Sequence, residues 1–185
     1  MSAEEIKEYF ALFGLEISPE IAGRVSEISE GWIAAVYLIA QRYRAIGRLE
    51  PGRDLESLIE TAIMTRYTAA ETRLLISLCV LDSFTPEQAV YVTGDAAAAE
   101  ILRRLSAGNS LMRYDERTGV YRMHHIFSGY LRKLLEERFE ATERKILHKR
   151  AGEWFIENGD VPSGLKALLR AGEYDRILEI GRAHV

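Results

Sequence analysis

At 185 residues with a hydrophobic share of 48%, the chain is long enough to bury one core or two small ones. Its formal net charge of −4 gives no reason to expect a polyanionic partner. The single cysteine, Cys79, excludes an internal disulfide, and no apolar run is long enough to span a bilayer. The opening stretch MSAEEIKEYF is acidic, unlike a secretory signal, so we expect a cytoplasmic protein.

Helical periodicity dominates the first 67 residues. Residues 4–13 form a short amphipathic stretch, and Pro19 follows a serine that can cap a second helix. The segment GWIAAVYLIAQRYRAIG carries a wide apolar face and ends at Gly47, which is typical of a helix C-terminus. A loop around Pro51 and a helix over 55–67 complete this half of the chain.

From residue 68 the order of predicted elements is specific. Three helices precede two short alternating runs around the polar turn DERTG, which together predict a winged helix whose hairpin is the only sheet. Beyond residue 142, antiparallel helix pairs indicate the start of a helical solenoid. The predicted elements of the winged helix are helices over 69–81, 86–92 and 95–107, strands over 111–114 and 120–123, and a following helix over 125–139.

Motifs for catalysis are absent from the sequence. It contains no G-x-S-x-G, no glycine-rich phosphate loop of either common type, and no cysteine close to a histidine. We therefore expect no catalytic residues and no nucleotide hydrolysis, and we interpret the chain as not an enzyme.

His124 and His125 stand side by side where the predicted hairpin meets the predicted helix. We expect their side chains to diverge, because adjacent residues face opposite sides of a strand and lie about 100° apart on a helix. With His148 distant and lacking an acidic or cysteine companion, no metal site is predicted. His124 precedes a helix N-terminus, which favours negative charge, so its imidazole could donate to a phosphate or merely cap and pack.

Charge decides whether the winged helix is expected to bind DNA. Its presumptive recognition helix, 95–107, opens with DAAAAE and balances two acidic residues against two arginines. Residues 68–140 hold nine basic and ten acidic side chains, whereas proteins that bind DNA present a basic face. We therefore interpret the winged helix as an internal packing module.

Four segments of the sequence, taken in order, carry a family resemblance. They are EISEGWIAAVYLIA, ETRLLISLCVLDSFTPEQA, LRRLSAGNSLMRYDERTGVYRMHHIFSGYLRKLL and LHKRAGEWFIENGDVPSGLKALLRAGEYDRILEI. Together they resemble the middle of MalT-like ATP-dependent regulators, which are LuxR-type bacterial transcription factors of the STAND class. In that family a P-loop nucleotide-binding domain precedes a helical domain, a winged helix and a sensor of TPR-like repeats, and a LuxR-type helix-turn-helix domain at the C-terminus binds DNA.

The resemblance implies a mainly α fold in three parts. These are a helical domain over 1–66, a winged-helix domain with one two-stranded β-hairpin over 67–140, and the first helices of a TPR-like α-solenoid over 141–185. It implies that the sequence is a middle piece of a longer parent regulator. The partners implied are the nucleotide-binding and sensor domains of that parent, with no direct DNA contact and no membrane. No cofactor is expected in this chain, while ATP or ADP is implied for the parent.

The resemblance also gives His124 a role. In related STAND proteins a Met-His-Asp motif at this junction touches the β-phosphate of bound ADP and holds the closed state. Met123-His124-His125 falls on that motif with His125 in place of the aspartate, so the resemblance implies that His124 senses the ADP phosphate in the full-length parent.

The function implied is a non-catalytic interdomain switch or interaction segment of a signal-dependent transcriptional regulator. Two alternatives stay open. One is a free-standing winged-helix DNA-binding protein with a helical dimerisation tail, and the other is a TPR-like scaffold that binds a peptide along residues 142–185.

Overall fold

The computed structural model describes residues 1–29, 31–49, 59–60, 64–106 and 112–183. The chain divides into two compact units, Met1–Thr68 and Ala69–Val185. Both are mainly helical, which confirms the predicted fold class. No helix of the described ranges is long and apolar enough to cross a membrane. The predicted division into three domains stays a prediction.

The described residues of the first unit include the helices α1 (Ala3–Ala11), α2 (Pro19–Ser29) and α3 (Ile33–Ile46). The hydroxyl of Ser2 accepts from the Glu5 amide and the Glu5 carboxylate accepts from the Ser2 amide, so α1 begins with two backbone donors satisfied. Apolar residues at helical spacing turn inward from α1, α2 and α3 to form a core. This core contains Ile6, Phe10, Ala22, Val25, Val36, Ile39 and Ala40.

The part of the first unit after α3 is described only in places. A 3-10 helix spans Met64–Arg66. The predicted loop around Pro51 and most of the predicted helix over 55–67 lie outside the described residues.

The second unit begins with the winged helix. Its hairpin strands pair antiparallel as predicted, and the element after them is a helix on which Phe127 and Leu131 are fully buried. The elements are α4 (Ala69–Leu78), β1 (Ser83–Phe84), α5 (Pro86–Thr93), α6 (Ala98–Ser106), β2 (Met112–Asp115), β3 (Val120–Met123) and α7 (His125–Arg138).

The predicted hairpin is present, but the sheet that contains it has one strand more than expected, in the order β1-β3-β2. Ser83 pairs with Arg122 and Phe84 with Tyr121. The rings of Phe84 and Tyr121 stack with centroids 5.9 Å apart, and Phe84 is fully buried. Two residues are too few to show an alternating pattern, so the sequence carried no signal for β1. Residue 111, predicted as strand, lies outside the described residues.

The predicted recognition helix over 95–107 also needs correction, because α6 begins at Ala98. The Asp95 carboxylate accepts a hydrogen bond from the Ala97 amide at 2.9 Å, which holds these residues in a turn. Alanine favours helix strongly, so its run alone predicted an earlier start. Residue 107 lies outside the described part of the chain.

Three further helices follow the winged helix: α8 (Ala141–Glu157), α9 (Val161–Ala171) and α10 (Tyr174–Ala183). The first two form a helical hairpin, with the Asp160 side chain capping α9 through the Ser163 amide. They cross closely at Gly152 and Gly164, where the backbone of each approaches the other helix. Trp154 of α8 also packs on Tyr91 of α5, with ring centroids 5.2 Å apart, so the hairpin contacts the winged helix.

Candidate functional site

The turn between β2 and β3 fixes the direction in which the chain enters the histidine pair. The Asp115 carboxylate accepts from the amides of Arg117 and Thr118, and its carbonyl accepts from Gly119 at 2.8 Å. A hydrogen bond with the Thr118 side chain is the largest cause that lowers the pKa of Asp115, and the bonds from the two amides lower it further. Gly119 has φ +68°, a backbone conformation that glycine adopts without strain. β3 therefore begins at a defined point and ends directly before His124.

His124 is the N-cap residue of α7. Its backbone is extended, with φ −62° and ψ 137°, while the chain becomes helical at the next residue. The Ile126 amide donates to Nδ1 of His124 at 3.4 Å, at the long end of the range for such bonds. A neutral imidazole that accepts at Nδ1 carries its proton on Nε2. The cap thus assigns to Nε2 of His124 the role of a hydrogen-bond donor.

The two histidine rings lie close together, contrary to the expectation that they diverge. Their centroids are 4.4 Å apart and their planes are inclined by 32°. The expectation assumed one regular element, whereas His124 is extended and His125 is the first helical residue. His124 is half-buried and His125 is exposed, so the outer ring covers one face of the inner one.

Buried neighbours hold this junction in place. Met123, before the pair, is 8% exposed, and Phe127, after it, is fully buried. Among the described residues no group of three or more histidines, cysteines or carboxylates is placed to hold a metal ion. The arrangement can therefore present an imidazole donor on a fixed backbone, beside the N-terminus of a helix.

The cations of the presumptive recognition helix are engaged within the protein. Arg103 binds the carboxylate of Glu100 with distances of 2.7–3.1 Å. Arg104 forms a salt bridge to Glu71, whose carboxylate is buried. Both guanidinium groups of α6 thus have carboxylate partners on the chain itself.

Sequence reasoning missed a second place where ionisable groups meet. A cavity in the second unit is lined by Arg132 from α7, by Arg144, Lys145 and His148 from α8, and by Arg170 from α9. The only signal in the sequence was the four-residue spacing of Arg144 and His148, which places both on one face of a helix. The convergence with Arg132 and Arg170 depends on how the helices pack.

Comparison with known proteins bears on the region that contains this junction. No curated protein matches the chain. Residues 58–143, which include the hairpin, the histidine pair and α7, match the family model described as MalT winged helix domain. Over these residues the chain is similar to the winged helix domain of MalT.

Proposed function

We propose that the chain is a non-catalytic interdomain switch segment of a signal-dependent bacterial transcriptional regulator of the LuxR family and STAND class. In this proposal it is the middle piece of a cytoplasmic parent that binds ATP or ADP in a separate nucleotide-binding domain. The winged helix packs against that domain, and the helices after it lead into a TPR-like sensor. DNA is bound by a separate helix-turn-helix domain of the parent.

The observation that carries the proposal is the position of His124 within the matched region. It lies at the hairpin-to-helix junction, where the cap through Nδ1 makes Nε2 the donor. A phosphate oxygen accepts such a bond, and the adjacent helix N-terminus favours its negative charge. The residues at this junction therefore fit an ADP phosphate brought by a neighbouring domain.

The switch follows from the state in which that bond exists. Only a closed arrangement, with the winged helix against the nucleotide, brings Nε2 of His124 to the β-phosphate. A contact made in one state alone shifts the equilibrium toward that state by its own free energy. A charge-assisted hydrogen bond contributes about 1.5–3 kcal/mol, so its loss shifts the closed-to-open ratio roughly ten- to a hundredfold.

The test is reporter expression and ADP retention in the parent regulator carrying substitutions at the histidine pair. We expect His124→Ala to give partial activation without inducer and weaker ADP retention. His124→Ser separates the two roles of the ring, because serine keeps a cap acceptor but has no imidazole, and it should behave like the alanine variant. His125→Ala is the neighbouring control and should have a smaller effect, since it leaves the donor in place.

Two results would contradict the proposal. If the His124→Ala variant gives no reporter expression without inducer and retains ADP normally, His124 acts only as a helix cap. If His124→Ser behaves as wild type while His124→Ala is active, the loss of the cap explains the phenotype and the phosphate contact is refuted.

One observation favours the alternative of a winged-helix DNA-binding protein. Arg113 of β2 lies directly opposite Arg122 of β3, and both side chains are exposed. Like charges in this position repel each other, and a phosphate backbone would relieve the repulsion. A fluorescence titration with random duplex at low salt discriminates the two functions. Micromolar, salt-sensitive binding that Arg113→Gln weakens would favour the alternative.

A further inference from the structure

A cavity of about 460 Å³ lies between the winged helix and the helices that follow it. It is bounded by Cys79 and Val80 after α4, and by residues of α7, α8 and α9. All of its lining belongs to the second compact unit. The cavity is separate from the His124 junction, so the inference drawn from it does not depend on the proposed function.

The lining is strongly basic. Four cations, those of Arg132, Arg144, Lys145 and Arg170, line the cavity together with one carboxylate, that of Glu136, and Asp82 outside the lining pairs with Arg132, so the cations still outnumber the carboxylates by two. Cations that share a small volume repel one another unless an anion lies between them. The charge of this lining therefore calls for an anionic occupant.

Two of the arginines are held in fixed positions by hydrogen bonds to backbone carbonyls and, for Arg132, also to a carboxylate. Nε of Arg132 donates to the Cys79 carbonyl at 3.1 Å, and its Nη2 lies 2.7 Å from the Asp82 carboxylate. Nη1 of Arg144 donates to the carbonyls of Glu136 and Phe139 at 3.0 and 2.9 Å. A guanidinium has five N–H donors, so each group is anchored by some of them and keeps others for a ligand.

Lys145 and Arg170 are the other two cations of the lining. Neither Lys145 nor Arg170 forms a salt bridge or hydrogen bond with any residue that the structure describes. Both side chains are exposed at the rim of the cavity. The side chains of Lys145 and Arg170 can therefore move to bind an anion without breaking any of the described contacts of the folded protein.

His148 supplies an unsatisfied polar atom in the same cavity. Its Nδ1 is buried and has no hydrogen-bond partner among the described residues. Burial lowers the pKa of His148, Arg170 and Arg144 lower it further, and Glu136 opposes them. A buried nitrogen without a partner costs free energy that a ligand oxygen could recover.

We propose that this cavity binds a small phosphate-bearing anion, coordinated by Arg132, Arg144, Lys145 and Arg170, with His148 donating from Nδ1. A phosphate dianion fits better than a single carboxylate, because it offers several oxygens to several donors and carries more negative charge. Glu136 remains paired with Nε of Arg144 at 3.3 Å and orients that guanidinium. The site lies where the winged helix meets the helical hairpin, so its occupant stabilises their packing.

The direct test is a titration of the 185-residue chain with inorganic phosphate, followed by the amide signals of α8 and α9 in NMR spectra. Arg170→Met removes an exposed cation of the lining, and Lys166→Met, one turn earlier on α9 and outside the lining, is the matched control. We expect Arg170→Met to weaken phosphate binding at least fivefold and Lys166→Met to change it less than twofold. No saturable shift, or equal loss in both variants, would overturn the proposal.

A second measurement reads His148 itself. An anion beside the ring stabilises the imidazolium, so saturation with sulfate should raise the pKa of His148, and sulfate should bind more tightly as the pH falls. Sulfate is chosen because its own charge stays constant in this range. An unchanged His148 pKa at saturating sulfate would refute its place in the site, even if some variant failed to fold.

The source of the phosphate is distinguished by comparing inorganic phosphate with glycerol phosphate. Tighter binding of glycerol phosphate supports a phosphorylated metabolite, and equal binding supports free phosphate. Binding of an acidic peptide in place of both would refute the proposal in favour of a protein partner.

Discussion

The close crossing of α8 and α9 makes a sharp prediction about Gly164. A methyl group at this position would lie 2.5 and 2.7 Å from the Cδ1 and Cγ1 atoms of Ile156, and 3.0 Å from the Gly152 carbonyl oxygen. The first two distances are shorter than real contacts of this kind, and the third atom belongs to the backbone of the other helix. Gly164→Ala therefore requires the helices to move apart or Ile156 to leave its position.

Two opposing effects determine how far Gly164→Ala changes the free energy of unfolding. Alanine in a helix interior is favoured over glycine by about 0.8–1.0 kcal/mol. Overpacking a tight contact costs about 1–3 kcal/mol, and three contacts at 3.0 Å or less place Gly164→Ala toward the upper end. We expect a net loss of about 1–2 kcal/mol in the free energy of unfolding of the second unit, in which the overlap outweighs the helix propensity.

The assay is urea unfolding followed by Trp154 fluorescence, in a Trp32→Phe background that removes the signal of the first unit. Gly129→Ala in α7 is the matched control, because a methyl group there meets nothing within 4 Å. The control should gain about 0.5–1 kcal/mol from helix propensity alone. If Gly164→Ala proves as stabilising as Gly129→Ala, the described crossing of the two helices is wrong.

Two further predictions concern buried ionisable groups of the second unit. The pKa of His148 is lowered in the folded state, so the unfolded chain takes up a proton first as the pH falls. The free energy of unfolding, measured by urea titration, should therefore decline from about pH 7.5 to 5.5, and it should decline less in His148→Gln. An equal decline in both proteins would show that the stability does not depend on protonation of His148. Burial raises the pKa of the Cys79 thiol to about 12. A thiol reagent at pH 8 should therefore label Cys79 only when the second unit unfolds locally or globally, and rapid labelling of the folded chain would contradict this.

Elements of the fold could be predicted from the sequence where the pattern that indicates them lies within one short segment. The hairpin and α7 were predictable because the alternating apolar pattern of a strand changes to the apolar spacing of a helix at His124. The strand Val120–Met123 and α7 are separated by this one residue. The start of α6 was misplaced because the side chain of Asp95 overrides the helix propensity of the alanines that follow.

The candidate sites could also be predicted from the sequence only in part. The position of His124 followed from the sequence, but the contact between the His124 and His125 rings did not, because it depends on a change of backbone conformation within one residue. The basic cavity joins residues from Cys79 to Arg170, which are far apart in the chain. Only the packing of three helices brings these charges together, so no pattern within one segment could reveal them.

The arrangement of the sheet has a consequence for self-association. β3 pairs with β1 on one side and with β2 on the other, so both of its backbone edges are occupied. Within the described residues, the open edges of the sheet are those of β1, which has two residues, and of β2, which has four and carries the exposed Arg113. Short, charged edge strands make poor templates for pairing with another chain. Concentrated solutions of the folded protein should therefore resist aggregation through strand addition.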